Sequence, residues 1–279
     1  MISALLITLR EGLEAALIVG IVLGYLRQIG RRDQMRSAWA GVGLAALLSA
    51  ITALAMHAIG AALETPFEQI FEGTTMLLAV AVLTWMVFWM RYQARFIKRD
   101  LENKVQAAVT RSENWGLFGL TFLAVFREGV ETALFLAANA FAVDATGTLV
   151  GALSGMTIAI AAGMLIYVYA ARLDLKLFFD VTSVLLIVFA AGLLARGVYE
   201  FQEIGWLPIL TSAAWDTHGW LDNASALGSL LRALIGYNAQ PSWLEVATYI
   251  GYWLIVLQVI RLWTRRLHAR DAQTHLNIA

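Results

Sequence analysis

The chain has 279 residues, 60% of them hydrophobic and 14% charged, with a formal net charge of zero and a mean hydropathy of +0.70. Soluble domains are about one-half apolar and about one-quarter charged, so an ordinary soluble protein is excluded and a polytopic membrane protein indicated. Cysteine is absent, which excludes disulfides and thiolate metal sites.

A bilayer crossing needs roughly 20 mainly apolar residues. Residues 2–26 meet that measure. They lack a basic leader, and Arg10, Glu11 and Glu14 interrupt the apolar run, so the segment reads as a retained span rather than a cleavable signal. Further spans are predicted at about 38–62, 70–90, 116–141, 148–171, 178–199 and 244–262, seven in all. A short interfacial helix is expected near 225–235, within a long connection over 201–243. That connection, with Glu200 at its edge, carries Glu203, Asp216, His218 and Asp222 around Trp206, Trp215, Trp220 and Trp243. Tryptophans suit the membrane–water boundary, and the segment reads either as a packed cap or as an ion-collecting vestibule.

Basic residues set the orientation. With seven spans, every Lys and Arg except Arg10, Arg127, Arg196 and Arg232 falls on one face. That face is therefore expected to be cytoplasmic, with the N-terminus periplasmic and the C-terminus cytoplasmic.

One phrase occurs twice: Arg10-Glu11-Gly12-Leu13-Glu14 in the first span and Arg127-Glu128-Gly129-Val130-Glu131 in the fourth. The first span runs inward and the fourth outward, so the two copies are expected to be antiparallel. A weaker correspondence links Phe71-Glu72-Gly73-Thr74-Thr75 to Phe179-Asp180-Val181-Thr182-Ser183. The fold expected is all-α: an inverted 3+3 helix repeat plus one extra C-terminal helix. Its parts are a first half at 1–97, a cytoplasmic linker at 98–115, a second half at 116–200, the periplasmic connection 201–243, and a seventh span with cytoplasmic tail at 244–279. Carriers with inverted halves hold their substrate near the midplane, between the halves.

Ionisable groups at membrane depth are costly and mark pathways or pairing sites. On a helix, Arg10 and Glu14 lie roughly 40° apart and Glu11 roughly 100° from Arg10, so each phrase presents one polar flank. If the flanks face each other, four carboxylates meet two guanidiniums with an excess of negative charge. A multivalent cation relieves that excess, and carboxylate oxygens suit hard cations. Glu11, Glu14, Glu128 and Glu131 are the candidate metal ligands, with Arg10 and Arg127 holding them in place. Simple Arg–Glu pairing between helices is the competing reading, weakened by the excess acid in both copies. Gly12 and Gly129 are expected to let the two phrase helices approach each other closely, and Gly20 and Gly24 to extend that stripe.

Glu68, Glu72 and Asp180 read either as acids favoured near helix N-termini or as relay positions for the cation or for protons. His57 is a further relay candidate or a packed hydrogen-bonding residue. Met76, Met86, Met90 and Met156 read as apolar packing.

With these residues in view, the chain resembles the oxidase-dependent iron transporters, a family that includes the fungal high-affinity iron permeases and compact bacterial ferrous iron permeases. The likeness runs over nearly the whole chain. It takes in Leu9 to Leu17, Phe71-Glu72-Gly73, the run Leu83 to Arg91, Ala190-Ala191-Gly192-Leu193, Gly236-Tyr237, Pro241-Ser242 and Glu245-Val246. Val130 stands where Leu is frequent. The resemblance implies a seven-span transporter, not an enzyme, whose four phrase glutamates pass iron across the bacterial inner membrane with support from the two arginines. It implies iron as transported substrate and no permanently bound cofactor. The partners implied are a periplasmic cupredoxin-like protein and a haem peroxidase, with no nucleic acid; a homo-oligomer is compatible. Transport of another hard divalent cation such as manganese stays open, as does a non-transporting assembly or signalling role. A membrane haem enzyme lacks paired intramembrane histidines, since His57 stands alone.

Overall fold

The computed structural model describes residues 1–93, 97–110, 114–169, 175–223 and 225–276. They form α1 (Ile2–Gln28), α2 (Met35–Ala62), α3 (Phe67–Gln93), α4 (Ile97–Thr110), α5 (Asn114–Ala142), α6 (Ala145–Tyr169), α7 (Leu175–Glu203), α8 (Ala226–Ile235) and α9 (Trp243–Leu276). A single 3-10 turn at Arg32–Gln34 leads into α2. Among the described residues the fold is all-helical, apart from one isolated bridge between Ala213 and Ser242. Arg95, Arg111 and Arg172, which contribute to the expected charge bias, lie outside the described residues.

The long helices follow from composition. In lipid every backbone N–H and C=O must be satisfied within the segment, which a helix does at every position. Among the described residues, five helices contain stretches long and apolar enough to cross a membrane: α2, α3, α6, α7 and α9. The 27 residues of α1 and the 29 of α5 match them in length. These two differ in the three ionisable side chains that each phrase places at their centre. The chain is a polytopic membrane protein.

Helices α1, α3, α5 and α7 form the interior. Helix α2 packs on α5, α6 on α1, α3 on α7, and α9 on α7. Burial follows this division: 67% of the apolar stretch of α7 is buried but 11% of that of α2. Leu54, Leu153 and Ile255 point outward from α2, α6 and α9, as lipid-facing residues should. Helices α1 and α5 run antiparallel. Ser3 near the start of α1 donates to Asn139 near the end of α5 at 2.6 Å, while Leu26 near the end of α1 shares a cluster with Leu117 near the start of α5.

The segment expected as a linker contains the amphipathic helix α4. Its Leu101 and Val105 are buried with Val22, Leu26 and Leu117, so it closes one end of the α1–α5 pair. At the opposite end of the bundle α8 is capped at both termini. The Ser225 hydroxyl accepts from the N–H of Gly228, and Gly236 takes the left-handed conformation at φ +70°, where a side chain is disfavoured. Gly236 also packs directly on Gly192 of α7, with no room for a Cβ on either. Ser242 and Glu245 form a reciprocal capping box at the start of α9, with bonds of 2.9 and 3.1 Å.

Candidate metal site

Because α1 and α5 cross antiparallel, the two phrases meet near the middle of both helices. An oxygen from each of Glu11, Glu128 and Glu131 lies within 4.8 Å of the others. Glu11 and Glu128 are buried and Glu131 nearly so. One oxygen on each of the three, Oε2, is buried with no hydrogen-bond partner. Buried unpartnered polar atoms are uncommon and call for a specific explanation. Three carboxylates from two helices, each with such an atom, make up a group with the spacing of candidate metal ligands. With metal–oxygen bonds of about 2.1 Å, two ligands of one ion stand at most about 4.2 Å apart, so a small contraction of the cluster suffices.

The arginines are arranged unequally. Arg10 is fully buried. Its Nη1 donates to Glu11 Oε1 at 2.7 Å, and its Nη2 lies 3.1 Å from Glu14 Oε1. Arg127 pairs with Glu131 at 2.8 Å through Nε, and its side chain is 41% exposed. Glu14 is buried but belongs to the Arg10 pair rather than to the three-carboxylate group. Four carboxylates against two guanidiniums leave two negative charges when all are ionised. A divalent cation cancels that excess.

The glycines of the phrases do something other than expected. A Cβ on Gly12 would stand 2.7 Å from Ala159 Cβ on α6, and one on Gly129 would collide with Ser49 on α2. They set the α1–α6 and α5–α2 contacts, not the approach of α1 to α5. Gly20 and Gly24 meet nothing within 4 Å, so no stripe extends along α1. The reason is angular: polar flank and glycine share a phrase but point in different directions around the helix.

Helix α3 supplies two contacts that sequence reasoning missed. Met86, read as packing, accepts from Arg10 Nη1 at 3.2 Å through Sδ. Trp89, one turn on, lies under Arg127, with Cζ 4.4 Å from the ring centroid. Their i, i+3 spacing was visible in the sequence, but nothing there showed which face of α3 meets the phrases.

The relay candidates are dispersed. Glu72 is half-buried at the α8 end of the bundle and within electrostatic reach of Glu200, Glu68, Arg196 and Glu203. Arg196 and Glu200 pair there at 2.8 Å. Asp180 lies at the far end of α7 from Glu200, also half-buried. His57 is exposed on α2. None of the four reaches the three-carboxylate group. Beside α8 a separate cavity of about 50 Å³ takes in Arg196, Arg232, Asn238 and Glu245. In the connection, Asp216 accepts from the His218 N–H and ring, which holds its exposed carboxyl below the usual range.

The model of the "Iron permease FTR1 family" matches residues 1–269. The chain is 37% identical over 250 residues to the ferrous iron permease EfeU of Yersinia pestis, covering 88% of each chain. It is 37% identical over 260 residues to EfeU of Escherichia coli O157:H7, covering 92% of this chain and 94% of that one. No solved structure matches. With a family model spanning almost its whole length and relatives similar along nearly all of theirs, the chain belongs to the iron permease FTR1 family.

Proposed function

We propose that this chain imports ferrous iron across the bacterial inner membrane, through a midplane site built from Glu11, Glu128 and Glu131 with Glu14 in reserve. The observation that carries this reading is the convergence of Glu11, Glu128 and Glu131, from two antiparallel helices, with an oxygen of each within 4.8 Å of the others. The names of the relatives, ferrous iron permeases, supply the identity of the cation. Arg10 keeps the site stable between ions by sharing its guanidinium between Glu11 and Glu14. An arriving ion takes over that neutralising role and is released inward as the two halves rearrange.

The inverted 3+3 arrangement, with 1–97 and 116–200 as halves and α9 appended, is supported by matched contacts. Gly41 of α2 packs against Phe118 and Thr121 of α5, and Gly151 of α6 against Met1 and Ala4 of α1. The register that aligns Arg10 with Arg127 also aligns Met1 with Phe118 and Ala4 with Thr121. Gly12 meeting Ala159 and Gly129 meeting Ser49 repeat the relation. In this reading the 98–115 linker and the tail that follows the seventh span within 244–279 are cytoplasmic, the 201–243 connection is periplasmic, and Glu68, Glu72 and Asp180 are way stations on either side. A periplasmic cupredoxin-like protein and a haem peroxidase deliver the iron.

The test is uptake by purified protein in proteoliposomes, with iron held ferrous or ferric and with manganese as competitor. Ferrous iron is expected to enter, and Glu11→Gln, Glu128→Gln and Glu131→Gln each to reduce the flux more than about tenfold. Unaltered flux in a correctly inserted Glu128→Gln protein would exclude the site. Preferred entry of manganese would replace iron as the substrate.

A further inference from the structure

A buried thioether stands at the edge of the carboxylate group. Met86 is 1% exposed, and its Sδ lies 3.2 Å from Arg10 Nη1. That same nitrogen donates to Glu11 Oε1 at 2.7 Å. One positively charged N–H group thus occupies the point where a carboxylate oxygen and a sulfur converge. Thioether sulfur is a weak hydrogen-bond acceptor, so little is lost if the guanidinium leaves it. Arg10 has a second seat on Glu14, 3.1 Å from Nη2, and its Nε makes no hydrogen bond where it is. The place held by Nη1 is therefore one that a metal ion can take.

We propose that Met86 is a direct ligand of the transported ion, engaged when the ion displaces Arg10 Nη1 from Glu11. This rests on the reading of Glu11, Glu128 and Glu131 as the iron site. The guanidinium stays on Glu14, and the ion meets Glu11 and Met86 on one side and Glu128 and Glu131 on the other. The resulting set is three oxygens and one sulfur. Oxygen-only sets accept magnesium, calcium and manganese, whereas a soft sulfur donor favours later, more thiophilic ions. Met86 thereby supplies selectivity for ferrous iron in a chain with no cysteine.

The arrangement is confined to one half. The register that aligns Phe71 with Phe179 puts Leu194 and Gly197 of α7 opposite Met86 and Trp89 of α3. Neither can accept from an arginine or bind a metal through its side chain. Helix α3 serves both phrases: Met86 receives Arg10 and Trp89 receives Arg127.

X-ray absorption of the ferrous-loaded, detergent-solubilised protein tests this directly. Wild type is expected to show a sulfur atom bonded to iron, and Met86→Leu, nearly the same in volume, to show oxygen and nitrogen neighbours only. In proteoliposomes the ratio of ferrous to manganese flux at limiting metal is expected to fall about tenfold in Met86→Leu. An iron shell without sulfur in wild type overturns the proposal even if Met86→Leu does not fold, and leaves the carboxylate site standing. An unchanged flux ratio overturns it as well. Wild-type protein that binds no iron removes the carboxylate site and, with it, the role of Met86.

Discussion

At the scale of single residues, the two phrases are identical in ionisable groups and different in environment. Arg10 is sealed between two carboxylates and a thioether, whereas Arg127 lies over a tryptophan face with 41% of its side chain accessible. Removing one partner from a buried ion pair costs about 3–5 kcal/mol, because the charge left behind has no compensation. Arg10→Ala is expected to destabilise the protein by that order, seen as a lower thermal midpoint in detergent. Arg10→Lys should recover only part of the loss, since an ammonium cannot span Glu11 and Glu14 as a planar fork does. Arg127→Ala should shift the midpoint less. The opposite ranking of the two arginines would contradict the burial argument. The sequence made both arginines conspicuous, but it held no sign of this asymmetry. The difference includes contacts from α3, whose Met86 lies 76 residues from Arg10 in the chain and whose Trp89 lies 38 residues from Arg127.

At the scale of helices, small residues decide which pairs touch. In a bilayer the outside of a helix is as apolar as its inside, so close packing rather than water exclusion drives association. Gly129 lies against Ser49, whose hydroxyl is fixed by a bond to the Ala45 carbonyl at 2.8 Å. Gly129→Ala therefore forces α5 away from α2 and is expected to cost about 1–3 kcal/mol. Ser49→Gly clears the space, so the double variant should regain most of the lost thermal stability. Failure of that rescue would mean the α2–α5 contact is set elsewhere. Gly192 and Gly236, far apart in the sequence, turn out to be two sides of one contact between α7 and the end of α8. Apart from α4, which lies in the segment expected as a linker, and the far end of α9, the predicted helix ends agree with the observed ones to within a few residues, because capping and hydropathy are local. Partner choice is not local, which is why Gly12 and Gly129 meet Ala159 and Ser49 rather than each other's helix.

At the scale of the whole molecule, the proposed topology has a simple readout. The chain has no cysteine, so single cysteines can be placed without background. Thr146→Cys, in the exposed first turn of α6, should react with a membrane-impermeant maleimide in intact spheroplasts. Asp33→Cys, between α1 and α2, should react only after permeabilisation. Reversed labelling would turn the protein over and with it the direction assigned to import. The carboxylate group and the outer acidic residues around Glu72 and Glu200 would keep their places in the bundle, but their order along the path would invert.

The sequence by itself missed α4 and the length of α9, but it determined the positions of the long apolar helices, the membrane as solvent, and the two phrases as the place where charge enters the apolar interior. Each of these is a sum over neighbouring residues, readable without knowing what lies beside them. Tertiary structure alone decided that Glu11, Glu128 and Glu131 converge while Glu14 stays with Arg10, that His57 faces outward, and that Met86 and Trp89 receive the arginines. Those outcomes depend on how each helix is rotated about its axis. Helices apolar on nearly every side carry no periodic signal for that rotation; it is fixed only when glycine, alanine and serine surfaces on different helices fit together.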